Sequence, residues 1–197
     1  MSAVVTQTHY TAEEYLTLER KATIKSEFHD GQIYAMTGAS RKHNLITVNI
    51  ARELSQQLKQ RPCEAYINDM RVKAAKARSY HYPDIAVVCG TTQFEDDYVD
   101  TLLNPTVLIE VLSPSTEAYD RGGKFAHYRK IASLREYLLV SQDEALIEHY
   151  ERQGDVWVLI EAEGLAASVS LDSINCILRL SEVYDKVLDN KDAELPE

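Results

Sequence analysis

Three cysteines, seven glycines, five prolines and one tryptophan are spread over 197 residues. Glycine and proline this scarce exclude collagen-like and low-complexity linker architectures. Cys63, Cys89 and Cys176 are far apart and odd in number. Their spacing therefore offers neither a disulfide framework nor a Cys-x-x-Cys metal knuckle, and they read as small buried apolar residues. No uninterrupted apolar run is long enough to span a bilayer, and Met1-Ser2-Ala3-Val4-Val5-Thr6-Gln7 lacks the basic start and apolar core of a signal peptide. The expectation is a cytoplasmic protein with no membrane partner. An excess of cationic residues is missing too: 21 Lys and Arg stand against 31 Asp and Glu, a formal net charge of -10. That balance excludes coating nucleic acid by bulk electrostatics and leaves room only for a local basic groove.

What is present is the composition of a folded chain, 45% hydrophobic and 26% charged. No repeat, low-complexity tract or linker interrupts it, so one domain is expected over residues 10–188, between an N-terminal tail (1–9) and a charged C-terminal tail (189–197). Thr11 and Glu14 have the spacing of a capping box opening a helix that ends near Lys21. Asp30-Gly31 is the two-residue turn of a hairpin, with Glu27 on its first strand. Ile46, Ile50, Leu54 and Leu58 recur every fourth residue, which predicts an amphipathic helix from Ser40 to about Lys59 with His43 at its start.

Strands are expected at 64–68, around 70–73, at 85–89, 106–112, 136–140, 145–150 and 156–160, and residues 91–105 read as a polar, acidic loop or irregular helix. After Ser113-Pro114-Ser115-Thr116 a helix is expected through about Ile131, weakened or bent by Gly122-Gly123. A last short helix covers 180–188.

Two of the strands carry a carboxylate where a bare charge is expensive. Asp84 opens Tyr82-Pro83-Asp84-Ile85-Ala86-Val87-Val88, and Glu110 lies inside Leu108-Ile109-Glu110-Val111-Leu112. An ionised carboxyl among Val, Ile and Leu needs a cation, hydrogen bonds or a raised pKa. If the strands are neighbours, the two acids can converge on Mg²⁺ or Mn²⁺, ions that take a few carboxylates and keep water. Leu112 occupies the position two after Glu110, so the candidate lysine is Lys124, on one helical stripe with Asp120 and Tyr128.

Blander readings stand beside these. Asp84 could cap a Pro-Asp turn, and Glu110 could form an internal salt bridge, with Lys124 as its partner. Glu27 reads as a hairpin surface acid, His43 as a capping or core group and Tyr128 as core. Arg71, Lys73, Lys76 and Arg78 read as a solvated face that could supply phosphate contacts, joined by Arg41, Lys42 and Arg121.

Pro83-Asp84, Leu108-Ile109-Glu110-Val111-Leu112-Ser113-Pro114-Ser115-Thr116, Asp120, Lys124, Tyr128 and Glu136-Tyr137 resemble the pattern of the Uma-two family of restriction-endonuclease-like proteins. Glu27-Phe28-His29-Asp30-Gly31-Gln32-Ile33 and His43 are similar to its N-terminal pattern. The resemblance implies an α/β (α+β) fold with a PD-(D/E)XK core: a mixed β-sheet flanked by helices, with an additional antiparallel β-hairpin region. It implies a Mg²⁺- or Mn²⁺-dependent endonuclease acting on DNA, and a homodimer. It makes Asp84 and Glu110 metal ligands with the Val111 carbonyl, Lys124 the catalytic lysine displaced from its common place, and Glu27 an additional acid. His43, Arg71, Lys73 and Arg121 are then candidates to contact substrate. The alternatives are a nuclease-fold module that binds nucleic acid or a protein without turnover, and a structural or toxin-antitoxin-like partner protein whose carboxylates only form ion pairs.

Overall fold

The structure is a computed structural model that describes residues 9–74 and 79–188. The expected tails, apart from His9, lie outside the described residues, as do Lys76 and Arg78. In chain order the elements are α1 (Ala12–Glu19), β1 (Ser26–His29), β2 (Gln32–Ala35), α2 (Arg41–Leu58), β3 (Cys63–Ile67), β4 (Arg71–Ala74), β5 (Ser79–His81), β6 (Ile85–Cys89), β7 (Thr101–Leu102) and β8 (Val107–Val111). There follow α3 (Glu117–Tyr119), a π-helical turn (Asp120–Lys124), α4 (Phe125–Tyr128), β9 (Glu136–Val140), β10 (Leu146–Gln153), β11 (Val156–Glu163), β12 (Ser168–Leu171), β13 (Cys176–Arg179) and α5 (Leu180–Val183).

A six-stranded sheet has the order β11-β10-β9-β8-β6-β3, with β8 and β9 parallel and the other neighbours antiparallel. Its central strands are apolar on both faces because both faces are covered. Ile85, Val87, Ile109, Val111, Leu138 and Val140 pack toward the α2 stripe Ile46, Ile50, Leu54 and Leu58, together with β12, β13 and α5. Ala86, Val88, Leu108, Leu112 and Leu139 point the other way, toward Val72, Ala74, Leu102, Tyr128, Ile131 and Leu134. The α2 stripe is 0–4% exposed. Burying side chains of this size stabilises the fold by about 1.5–3 kcal/mol each, and that burial seats α2 on the sheet.

The second sheet, β2-β1-β5-β4-β7, carries the hairpin expected at Asp30-Gly31, with His29 opposite Gln32. Asp30 and Gly31 both take positive φ, 52° and 79°, as that two-residue turn requires. Thr11 and Glu14 form the expected capping box, and Ser40 caps α2 by accepting the His43 N–H.

Some expectations are corrected. Cys63 and Cys89 face one another across β3 and β6 and form a disulfide, whereas Cys176 is buried and free. The 26-residue separation hid a pair that only strand register brings together. The helix expected through Ile131 is three short pieces ending at Tyr128, with Gly122 and Gly123 inside the π turn. The polar stretch 91–105 contains β7, and the hairpin β12–β13 fills a region in which no strands were expected. No described helix is long and apolar enough to cross a membrane.

Candidate active site

Antiparallel pairing of Ile85 with Ile109 puts Asp84, one residue before β6, level with Glu110 on β8. Asp84 is fixed from two sides: its Oδ2 accepts the Val111 N–H at 2.7 Å and meets His43 Nε2 at 3.1 Å. His43 is held in the first turn of α2 by its own N–H, which donates to Ser40 Oγ at 3.0 Å. Asp84 and His43 side chains are 16% and 14% exposed, so the pair sits at the sheet rim within reach of solvent.

Behind that rim stands Lys124. Its Nζ lies 3.0 Å from Glu110 Oε1, 3.1 Å from Glu27 Oε1 and 3.4 Å from Asp120 Oδ1. Tyr128 donates its hydroxyl to Glu110 Oε1 at 3.0 Å. Glu27 also accepts the Tyr82 N–H at 3.0 Å and contacts His81 Nδ1 at 3.3 Å. Asp120 and Lys124 bound the π turn, a widened helical turn of a kind often found at functional sites. Gly123 belongs there for a steric reason: a Cβ would stand 2.5 Å from the Tyr119 ring.

Burial drives the electrostatics. Glu110 is pushed well above the usual carboxylate range by burial, and Asp120, Asp84 and Glu27 add to this while Lys124 opposes it. Burial raises Asp120 as well, against the pull of Lys124. For Lys124, burial disfavours the charge but the attraction of Glu110 and Glu27 outweighs it and holds the ammonium well above its ordinary value. For Glu27, burial pushes upward, yet Lys124 and His81 prevail and hold the carboxyl below the usual range.

His81 is fully enclosed, and burial lowers its imidazole to about 4, with Glu27 opposing. It is therefore neutral at pH 7. Because its folded value lies below the ordinary 6.5, folding resists its protonation, so the stability it contributes is present above 6.5 and is lost as pH falls toward 4. Unfolding titrations of wild type and His81→Asn should diverge in this window, with wild type losing on the order of 3 kcal/mol that the variant does not. Parallel pH profiles would contradict a buried neutral His81.

The other sequence candidates are dispersed. Arg71 is 2% exposed: its guanidinium donates to Thr101 Oγ1 and the Tyr82 hydroxyl, both at 2.9 Å, and pairs with Asp100 at 2.9 Å. It does not lie on a solvated face. Lys73 pairs with Glu95 at 2.5 Å, and Arg121 pairs with Glu117 and Glu148. Val111 reaches Asp84 through its N–H. Glu27, Asp84, Glu110, Lys124 and His43 are thus brought together, while Arg71, Lys73 and Arg121 are each committed to acids elsewhere. Sequence reasoning missed His81; Tyr128, read as core, is core and also bonds Glu110. Tyr128 was findable from its place on the Asp120–Lys124 stripe; His81 had no such signal, since β5 is too short to announce itself.

Among the described residues, no three His, Cys, Asp or Glu side chains are disposed to hold a metal ion. The donors at the rim are the two carboxylates of Asp84 and Glu110, level across one ladder. Hard oxygen donors of this number fit Mg²⁺ or Mn²⁺, which complete their shell with backbone carbonyl and water.

A family model named Uma2 and described as "Putative restriction endonuclease" matches residues 12–181. Two relatives from Synechocystis sp. are uncharacterized proteins. One, sll1609, is 41% identical over 170 residues, covering 86% of this chain and 96% of its own length. The other, slr1290, is 35% identical over 178 residues, covering 87% and 90%. A crystal structure from Anabaena variabilis, described as "a putative nuclease belonging to DUF820", superposes with a TM-score of 0.76 at 21% identity, covering 90% of this chain and 99% of that one. At that identity the likeness establishes the fold.

Proposed function

Because the chain belongs to the Uma2 family of restriction-endonuclease-like proteins, we propose that it is a metal-dependent endonuclease that hydrolyses DNA phosphodiester bonds. One observation carries this reading. The lysine missing beside Glu110 on the strand is returned by the following helix to 3.0 Å from its carboxylate, which stands level with Asp84.

Asp84 and Glu110 would hold Mg²⁺ or Mn²⁺ with the Val111 carbonyl. The ion, when bound, supplies an activated water and neutralises charge on the phosphoryl oxygens. The chain's own groups do the rest. The His43 contact and the Val111 N–H fix the Asp84 carboxylate, and the Tyr128 hydroxyl fixes Glu110. Lys124, aimed by Glu27 and Asp120, presents its ammonium to the attacking water and to negative charge developing on phosphorus-bound oxygen. Glu27 and Asp120 act through Lys124 and are positioning residues.

A second reading, a nuclease-fold module that binds nucleic acid or a protein without turnover, is motivated by the displaced lysine and the net charge of -10. Incubation with supercoiled, linear and single-stranded DNA in Mn²⁺ separates the two. Wild type should cleave at least one form, and Glu110→Gln should be slower by about 100-fold or more. Equal rates in the two proteins would remove the assignment; retention of DNA without product would favour the binding module.

A further inference from the structure

Beside the Lys124 cluster three rings form a column. Tyr34 on β2 stacks on His29 of β1 with centroids 4.2 Å apart and planes 5° from parallel, and His29 stacks on Tyr119 at 4.7 Å and 21°. Gly123 makes room for the Tyr119 end, because a Cβ there would meet that ring. At the other end, the Tyr34 hydroxyl donates to Gln32 Oε1 at 3.1 Å, which sets the ring's orientation. The column adjoins the site directly: the His29 and His81 rings are 6.1 Å apart, and His81 contacts Glu27, which pairs with Lys124.

Two further features distinguish this column from ordinary core packing. Tyr119 at its inner end is half-buried, whereas Tyr34 is 43% exposed although one ring face is taken by His29. The exposed part of Tyr34 is thus accessible to a ring arriving from solvent. Buried polar atoms without a hydrogen-bond partner are rare, yet His81 Nε2, His127 Nδ1 and the Tyr119 hydroxyl all lack one in this neighbourhood. A cluster this polar is poorly explained as a device for apolar burial alone.

Charge decides the occupant. The net charge is -10, and Arg71, Lys73 and Arg121, three of the cations that could have contacted a phosphate backbone, are already paired with carboxylates. Contacts that do not depend on phosphate charge then gain weight in binding DNA. Base stacking is such a contact: every base has a π face, and stacking on an aromatic side chain is worth about 1–3 kcal/mol per base. A ring already fixed by its neighbours loses little freedom on binding.

We propose that Tyr34 is the platform on which an unpaired nucleobase flanking the scissile phosphate stacks, so that the substrate class is single-stranded or locally unpaired DNA. This rests on the nuclease reading and names its substrate. A base held in a duplex keeps both faces against its neighbours and cannot add to the column.

The test uses the full chain in Ca²⁺ with single-stranded oligonucleotides carrying one 2-aminopurine, an abasic counterpart and the matching duplex, each sample checked for product. Wild type should quench the 2-aminopurine and bind the single strand more tightly than the duplex or the abasic strand. Tyr34→Leu, an exposed change whose folding is confirmed by an unaltered melting temperature, should lose the quenching and about 5- to 100-fold in affinity. Tyr34→Trp should retain both. Unchanged affinity and quenching in Tyr34→Leu, equal affinity for the abasic strand, or no binding of single strands by wild type would each overturn the proposal. Parallel incubation in Mn²⁺ keeps the two ideas apart. Stacking without cleavage would sink the nuclease reading alone, and cleavage indifferent to Tyr34 would sink the platform alone.

Discussion

Lys124→Met should lower the stability of the protein by about 3–5 kcal/mol at pH 7 and abolish measurable hydrolysis, the largest combined effect expected of any single change in the chain. The reason is the company Lys124 keeps. Glu27, Glu110 and Asp120 all lie within 3.4 Å of one ammonium that is 7% exposed, and removing it leaves their charge buried without a counterion. The variant's sole relief is protonation, and Glu110 and Asp120 are already pushed upward by burial. Acids whose folded values lie above their unfolded ones destabilise the fold increasingly as pH rises through that interval. The gap between variant and wild type should therefore narrow as pH falls toward the unfolded carboxylate range. Denaturant titrations across pH check this. A variant as stable as wild type at pH 7 would show that the acids are not charged around Lys124.

Arg71→Met should also cost about 3–5 kcal/mol, and it should do so without changing Mn²⁺ affinity. Arg71 joins three elements: Thr101 of β7, Tyr82 beside β6 and Asp100 of the preceding loop, with Tyr82 in turn donating to Glu19 of α1 at 3.0 Å. Truncating it removes one of the two cations paired with Asp100, Arg20 being the other, and leaves Thr101 Oγ1 and the Tyr82 hydroxyl each with one partner fewer. A phosphate-contacting arginine would behave in the opposite way, losing DNA affinity at unchanged stability. Chemical denaturation and a metal titration on the same sample distinguish the two.

That contrast shows where sequence reading succeeds and where it stops. The period of Ile46, Ile50, Leu54 and Leu58 and the continuous apolar run around Glu110 report burial directly, so α2 and β8 were legible to within a residue or two. Asp84 and Glu110 were legible as a pair because each stands out against apolar neighbours, and the β6–β8 register then sets them level. Arg71 was misplaced for a tertiary reason. The acidic stretch after Thr91, read as a solvated loop, folds back so that Asp96 and Asp100 pair with Arg20, Asp100 with Arg71 and Glu95 with Lys73. Charges that look solvated along the chain cancel one another across it. The Cys63–Cys89 disulfide and the His81–Glu27 contact were hidden likewise, since each joins residues on different strands with no local signature. The π turn was half legible. Gly122-Gly123 announced a distortion, while the inward aim of Lys124 depends on how that distortion is resolved.

In the proposed function the Asp84–Glu110 rim is a divalent-cation site served by Lys124. The most direct measurement is anomalous diffraction from crystals soaked in Mn²⁺. The expected result is a Mn²⁺ peak in contact with both carboxylates and Lys124 still paired with Glu27. Saturating Mn²⁺ with no peak between Asp84 and Glu110, and the Lys124–Glu110 ion pair unchanged, would contradict it.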